Sequence, residues 1–215
     1  MAVFLDLDNT LVDRDGAFAR WADDAVAGWG GDAADVAWLI AADAGGYTPR
    51  AGLAQMIIDR WGPATDSDRL VAQMHGGVIE HLTCYPGVLA ELDALASAGQ
   101  SLVIVTNGDS RQQREKLRRT GLQDVASAVA ISGELGFKKP DARMFESARS
   151  LSNDYGAPWM VGDHVDTDMA GARAMGWATA WVSHERHWPY PWTPTLTAAH
   201  TADLLAGLHT HVAVG

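Results

Sequence analysis

Cysteine is all but missing: Cys84 stands alone among 215 residues. No disulfide can form within the chain, and a lone thiol in a helix-rich stretch reads as a small core residue. Long apolar runs are absent too, since nothing approaches the roughly 20 residues that span a bilayer. The opening Met1-Ala2-Val3-Phe4-Leu5-Asp6 has no basic segment ahead of an apolar stretch, so no targeting signal is read there and a cytoplasmic protein is expected. Basic residues are scarce, with 16 Lys and Arg against 27 Asp and Glu and a net charge of −11. Nucleic acid and anionic membranes, which are held largely through Lys and Arg, are therefore not expected as partners. Repeats and low-complexity tracts are also lacking.

What is present is enough apolar material, 47% of the chain, to bury one full core in a single domain or a domain carrying an insertion. Ala2 to Leu7, Leu102 to Thr106, Trp159 to Val161, Ala178 to Val182 and Ala126 to Ile131 read as buried strands. Helical patterns lie between them. Gly87 to Ala98 stops at Gly99, Ser110 to Thr120 at Gly121, and Thr167 to Met175 at Gly176, while another begins at Pro140-Asp141 and runs to Leu151. This alternation predicts an α/β fold with a doubly wound parallel sheet. The stretch from Asp15 to Cys84 differs: Phe18, Trp21, Ala25, Val36, Leu39, Ile40, Leu53, Met56, Ile57, Leu70, Met74, Val78 and Ile79 recur at helical spacing, with breaks at Gly30-Gly31, Gly45-Gly46 and Gly62-Pro63. We read residues 15–84 as a helical insert in a core made of 1–14 and 85–215.

Open parallel sheets place their sites beyond the carboxyl ends of the strands. Three strands end in polar clusters. Alternation puts Asp6 and Asp8 of Asp6-Leu7-Asp8-Asn9-Thr10 on one side of an extended chain, where two carboxylates repel and call for a cation. Thr106-Asn107-Gly108-Asp109 offers a hydroxyl and backbone donors suited to a phosphate oxygen. Gly162-Asp163-His164-Val165-Asp166-Thr167-Asp168 adds three carboxylates, an oxygen-only donor set that favours a hard ion such as Mg²⁺. Lys139 is the remaining candidate cation. Singly, each cluster is what helix caps and turns produce.

In order and type, Asp-x-Asp-x-Thr at 6–10, Thr106, Lys139 and Gly-Asp-x-x-x-x-Asp at 162–168 resemble the four motifs of the haloacid dehalogenase superfamily. The resemblance runs over nearly the whole chain and points to the phosphatase branch with a helical cap. It implies that Asp6 is a nucleophile that becomes phosphorylated, and that Asp8 protonates the leaving alcohol and later activates water. It implies Mg²⁺ held by Asp6, Asp163 and the Asp8 carbonyl, supported by Asp168. Thr106 and the Asn107 amide would grip the phosphoryl oxygens while Lys139 stabilises charge. Because relatives that cleave carbon–halogen bonds lack an acid at the Asp8 position, phosphate chemistry is favoured. The expected substrate is a small phosphorylated metabolite, such as a sugar phosphate, a phosphoglycolate-like acid or a nucleoside monophosphate. A phosphomutase, a 2-haloacid dehalogenase and a non-catalytic binding module are the alternatives, and either a monomer or a homodimer is compatible.

The helical insert falls where the family carries its cap, so Tyr47, Thr48 and Arg50 are candidate specificity contacts, with ordinary loop surface as the plainer reading. Asp166 lies off the motif and reads as an exposed or capping residue. His164 reads as a surface or supporting histidine. His184-Glu185-Arg186-His187 does not have zinc-ligand spacing. Arg111, Arg114, Lys116, Arg118 and Arg119 read as a solvated basic helix face, and Trp188-Pro189-Tyr190-Pro191-Trp192 as a rigid loop.

Overall fold

Uncharged runs of Val, Ile, Leu and Ala cannot face water on either side, and here they become the interior of a parallel sheet. In the computed structural model, which describes residues 1–63 and 65–212, the strands are β1 (Ala2–Leu5), β2 (Ser101–Thr106), β3 (Ala128–Ile131), β4 (Pro158–Gly162), β5 (Ala178–Val182) and β6 (Leu196–Ala198). All pair in parallel, in the order β3-β2-β1-β4-β5-β6. Val3 pairs with Leu102 on one side and Trp159 on the other, so the carboxyl ends of β1, β2 and β4 lie side by side. Chain order reverses about β1, which opens a crevice at that end of the sheet.

The helices are α1 (Arg14–Gly28), α2 (Ala33–Asp43), α3 (Arg50–Trp61), α4 (Ser67–His81), α5 (Val88–Ser97), α6 (Ser110–Thr120), α7 (Leu122–Val125), α8 (Ser132–Leu135), α9 (Ala142–Leu151), α10 (Gly171–Ala174) and α11 (Thr201–Val212). The chain divides into two compact units, one formed by Met1–Val12 with the chain from Cys84 onward, the other by Asp13–Thr83.

In the sheet unit, Phe4, Val103, Val105, Met144, Phe145, Met160 and Trp181 form a buried cluster. Each such side chain contributes about 1.5–3 kcal/mol by leaving water. The Trp188–Trp192 loop is held by aromatic packing: Trp188 lies edge-on to Trp181 at 4.9 Å, Tyr190 stacks on Trp192 at 5.8 Å, and Arg173 sits 4.4 Å over Trp192. Among the described residues no helix is long and apolar enough to cross a membrane.

The other unit is helical throughout its described residues, apart from connections. Here α1 packs on α2 and α4, and α3 packs on α4. Asp13, Asp32 and Asp66 cap three of these helices by accepting from backbone N–H groups, each cap being worth about 0.5–2 kcal/mol. Phe18, Trp21, Leu39, Leu53, Ile57, Leu70, Met74 and Val78 are buried as the spacing predicts, but Ile40 and Met56 are exposed. On α2 the inward pair is Leu39 with Asp43, one turn apart, and on α3 it is Leu53 with Ile57. Ile40 and Met56 lie about 100° round from that face.

Other expectations need correction. Pro140 does not start α9; Asp141 is its N-cap, accepting from Arg143, and the helix begins at Ala142. The stretch 167–175 is not one α-helix but a π-helical turn, Val165–Ala170, followed by α10. Cys84 is half-buried in a connection that bridges to Val12, not in a helix. The edge strand β6 was not expected, because a three-residue, half-exposed strand carries no apolar run.

Candidate active site

β1 ends by handing its ladder to a tight loop. Asp6 still donates its N–H to the Val161 carbonyl at 2.9 Å, after which the Leu7 carbonyl accepts from Leu11 and Val12 at 2.9 and 3.1 Å. Asn9 takes the left-handed conformation at φ 58°, which Asn tolerates better than most residues. Asp6 and Asp8 thus share one end of the sheet but acquire different partners.

Asp6, Asp163 and Asp168 converge beyond β1 and β4, each offering an oxygen within 4.8 Å of the others. Lys139 Nζ donates to Asp6 at 2.6 Å and approaches Asp168 Oδ1 at 2.7 Å. All four residues are buried. The π-helical turn brings Asp168 back under β4, where its Oδ2 accepts from the His164 N–H at 3.1 Å. A Cβ on Gly162 would lie 2.4 Å from that Asp168 oxygen, so the glycine of the motif makes room for the carboxylate. His164 Nδ1 accepts from the Asp166 and Thr167 amides and caps the turn. Asp166 is exposed and accepts from the Tyr190 hydroxyl.

Lys139 is itself gripped by Asn107, whose Oδ1 accepts from the Lys139 N–H at 2.8 Å while its Nδ2 donates to the Lys139 carbonyl at 3.0 Å. The Asn107 side chain therefore fixes the lysine, a task distinct from the phosphate contact expected of its backbone amide.

Charge in this cluster is unbalanced. Burial pushes the Asp6 carboxyl up to about 7, against the pull of Lys139 and with a further push from Asp168. Burial likewise raises Asp163 to about 8, reinforced by Asp6 and Asp168 and only partly opposed by Arg186. For Lys139, burial favours the neutral amine, but the charges of Asp168 and Asp6 outweigh it and hold the ammonium well above its ordinary value. Carboxylates with too little counter-charge and hard oxygen donors suit a divalent cation.

Asp8 turns toward α6. Lys116 Nζ donates to its two oxygens at 2.7 and 2.6 Å, and Gln113 Nε2 donates to Oδ2 at 2.9 Å. The same Gln113 nitrogen donates to Thr106 Oγ1 at 2.5 Å. Lys116 is thus no part of a solvated face. Gln113, Lys116 and Leu117 share the inner side of α6 at i, i+3, i+4 spacing, while Arg114 and Arg118 pair outside with Glu134 and Glu115.

The structure therefore brings Asp6, Asp8, Thr106, Asn107, Lys139, Asp163 and Asp168 to one end of the sheet. Tyr47 and Arg50 lie in the helical unit: Tyr47 is exposed, and Arg50 joins Arg14 on the buried carboxylate of Asp43, both guanidiniums lying near the Phe18 ring at 5.8 and 5.0 Å. Three site residues escaped the sequence reading, namely Gln113, Lys116 and Arg186. Arg186 Nη2 donates to the Asp163 carbonyl at 2.8 Å and to its Oδ2 at 3.0 Å. His184 and Glu185 turn the chain just before it, both at positive φ, 46° and 63°, and His184 Nε2 donates to the Asn9 carbonyl at 2.7 Å. Such paired left-handed non-glycine residues often mark functional loops.

Known proteins resemble this chain to different extents. Pyrimidine 5'-nucleotidase YjjG of Escherichia coli is 34% identical over 128 residues, 58% of this chain and 56% of that protein. Phosphoserine phosphatase of Thermus thermophilus is 41% identical over 101 residues, 46% of this chain and 40% of that protein. The chain thus spans about half the length of the curated relatives it matches. Among solved structures, the magnesium-bound HAD-hydrolase YfnB of Bacillus subtilis superposes with a TM-score of 0.76 at 21% identity, covering 97% of this chain and 98% of that one. The L-2-haloacid dehalogenase of Xanthobacter autotrophicus gives 0.76 at 18% identity, with the same coverage. At these identities the likeness establishes the fold and does not separate the two chemistries. A family model for haloacid dehalogenase-like hydrolases matches residues 1–176, and this chain belongs to that family.

Proposed function

We propose that the protein is a Mg²⁺-dependent phosphatase that hydrolyses a small phosphorylated metabolite through an aspartyl-phosphate on Asp6. The observation that carries this reading is the carboxylate of Asp8, held by Lys116 and Gln113 beside Thr106. An ester oxygen leaving phosphorus needs a proton, and a carboxyl group two residues beyond the nucleophile can supply it. Relatives named as phosphatases of phosphoserine and of glyceraldehyde 3-phosphate support the same chemistry.

In the first step, which starts with Asp8 in its protonated form, an Asp6 oxygen bonds to phosphorus, the P–O ester bond breaks, and the leaving oxygen takes the Asp8 proton. In the second, a water oxygen attacks phosphorus, Asp8 receives the water proton, and the bond to Asp6 breaks, releasing inorganic phosphate and restoring both carboxyls. Thr106 and the Asn107 amide orient the phosphoryl oxygens. Lys139, fixed by Asn107, stabilises charge on the oxygens in transit. The carboxylates of Asp6 and Asp163 with the Asp8 carbonyl would hold Mg²⁺, with Asp168 in support, and the ion supplies charge neutralisation and polarisation of the phosphoryl group. The convergence of three buried carboxylate oxygens within 4.8 Å fits such an ion. The helical unit, residues 13–83, serves as the cap that selects the leaving group and excludes water.

Phosphate release from aryl and alkyl phosphate esters, measured with Mg²⁺ and with chelator, tests the reading. Turnover that needs Mg²⁺ and falls by at least about 10³-fold in Asp6→Asn is expected. A wild-type protein inert on a broad ester panel contradicts it, and isomerised sugar phosphate without free phosphate identifies a mutase instead.

A further inference from the structure

We infer that Lys116 and Gln113 are positioning residues for Asp8, fixing its carboxylate relative to the phosphoryl-binding end of β2; this rests on the phosphatase reading above. A carboxylate on a loop has a broad terminal torsion and little to hold it. Here Lys116 Nζ donates to it at 2.7 and 2.6 Å and Gln113 Nε2 at 2.9 Å. Gln113 also reaches Thr106 Oγ1 at 2.5 Å, so one buried amide spans the proton-transfer group and the phosphoryl-binding hydroxyl.

Burial separates this pair from the ordinary ion pairs of the same helix. The Lys116 side chain is 12% exposed, whereas Arg114 and Arg118 are 56% and 62% exposed. An exposed pair contributes little and costs little, while a half-buried bidentate pair must recover the desolvation of both ions through its geometry. The neighbouring backbone is shaped around Gln113 as well. Gly108 sits at φ 151°, and a Cβ there would lie 2.9 Å from Gln113 Cδ, so the loop after β2 closes over this amide only with glycine at that place.

A mere staple between α6 and the loop and a positioning device differ in which substrates suffer. Proton donation matters for an alkyl leaving group and hardly at all for dinitrophenolate, which departs unaided. Displacing a catalytic group by about 1 Å costs on the order of 100-fold. The measurement is kcat/KM, which reports events up to phosphoryl transfer, for an alkyl phosphate and for 2,4-dinitrophenyl phosphate, with Mg²⁺ present. Lys116→Met, which keeps the apolar stem, is expected to lose about 100-fold on the alkyl ester and less than about 5-fold on the dinitrophenyl ester. Lys116→Arg is expected to regain most of the loss. Asp8→Asn with Lys116→Met is expected to be no slower than Asp8→Asn alone, since both changes remove one function. Gln113→Leu leaves Lys116 in place but also releases Thr106, so it predicts some loss on both esters with about tenfold more on the alkyl ester; that excess carries the test if Lys116→Met does not fold. Equal losses on both esters, no loss, or multiplying losses in the double variant overturn the inference in an enzyme that is still a phosphatase. A wild type inert on both esters overturns the phosphatase reading and this inference with it.

Discussion

Each unit of this molecule buries a cluster of charges, and the two clusters are balanced in opposite ways. In the helical unit one buried carboxylate, Asp43, faces two guanidiniums, Arg14 and Arg50. Burial would raise its pKa, but the hydrogen bond and charge of Arg14, with those of Arg50, bring it below the ordinary value. In the sheet unit Lys139 pairs with two of three buried carboxylates, Asp6 and Asp168, and Arg186 reaches the third, Asp163; Asp6 and Asp163 rise to about 7 and about 8. A cluster whose buried carboxylate is met by cations from within holds a fold together. One left short of positive charge is prepared for something that brings more.

Removing the central cation of the acidic cluster should have the largest effect. Lys139→Met leaves Asp6 and Asp168 buried without their partner, and breaking such a pair costs about 3–5 kcal/mol. Urea unfolding should show a loss of that order together with loss of turnover; a variant as stable as wild type would show that Lys139 is not what holds the carboxylates.

A smaller effect distinguishes the clusters by pH. Asp6 and Asp163 have folded values raised from 3.8, so the folded state binds more protons than the unfolded chain between about 4 and 8. Without metal, their contribution to stability is fully present at the acid end of that window and is lost as pH rises through it. Asp43 is depressed from 3.8, so its contribution is present above that value and disappears as pH falls below it. Thermal melts of chelator-treated protein should weaken from about pH 5.5 to about pH 8, and Mg²⁺ should stabilise more at the higher pH. Asp43→Asn should lower the melting temperature at neutral pH and lose its effect in acid. A Mg²⁺ increment independent of pH would break the contrast.

Much of this was legible in the chain, for reasons particular residues make plain. Asp6, Asp163 and Thr106 stand where uncharged strands stop, and a parallel sheet turns that position into proximity. Lys139 was legible through its motif, but the Asn107 clamp behind it was not, because a side chain that hydrogen-bonds a backbone 32 residues away leaves no periodic trace. Lys116 was hidden among Arg111, Arg114, Arg118 and Arg119. Nothing in composition separates the inner lysine from its solvated neighbours until α6 is docked with Gln113 and Leu117 inward. Arg186 lay in a His-rich run whose only notable property, two positive-φ residues, is conformational. Ile40 and Met56 show the converse failure, since apolar spacing defines a stripe but not its exact centre, and residues one step off it remain in water.

The most direct measurement of the central claim is the covalent one. Wild-type protein mixed with Mg²⁺ and a turned-over phosphate ester, quenched in acid within the first turnovers and digested, should carry one phosphoryl group on the peptide containing Asp6, and Asp6→Asn should carry none. Phosphate released with no phosphoryl on any peptide, or with the group on another residue, would contradict it.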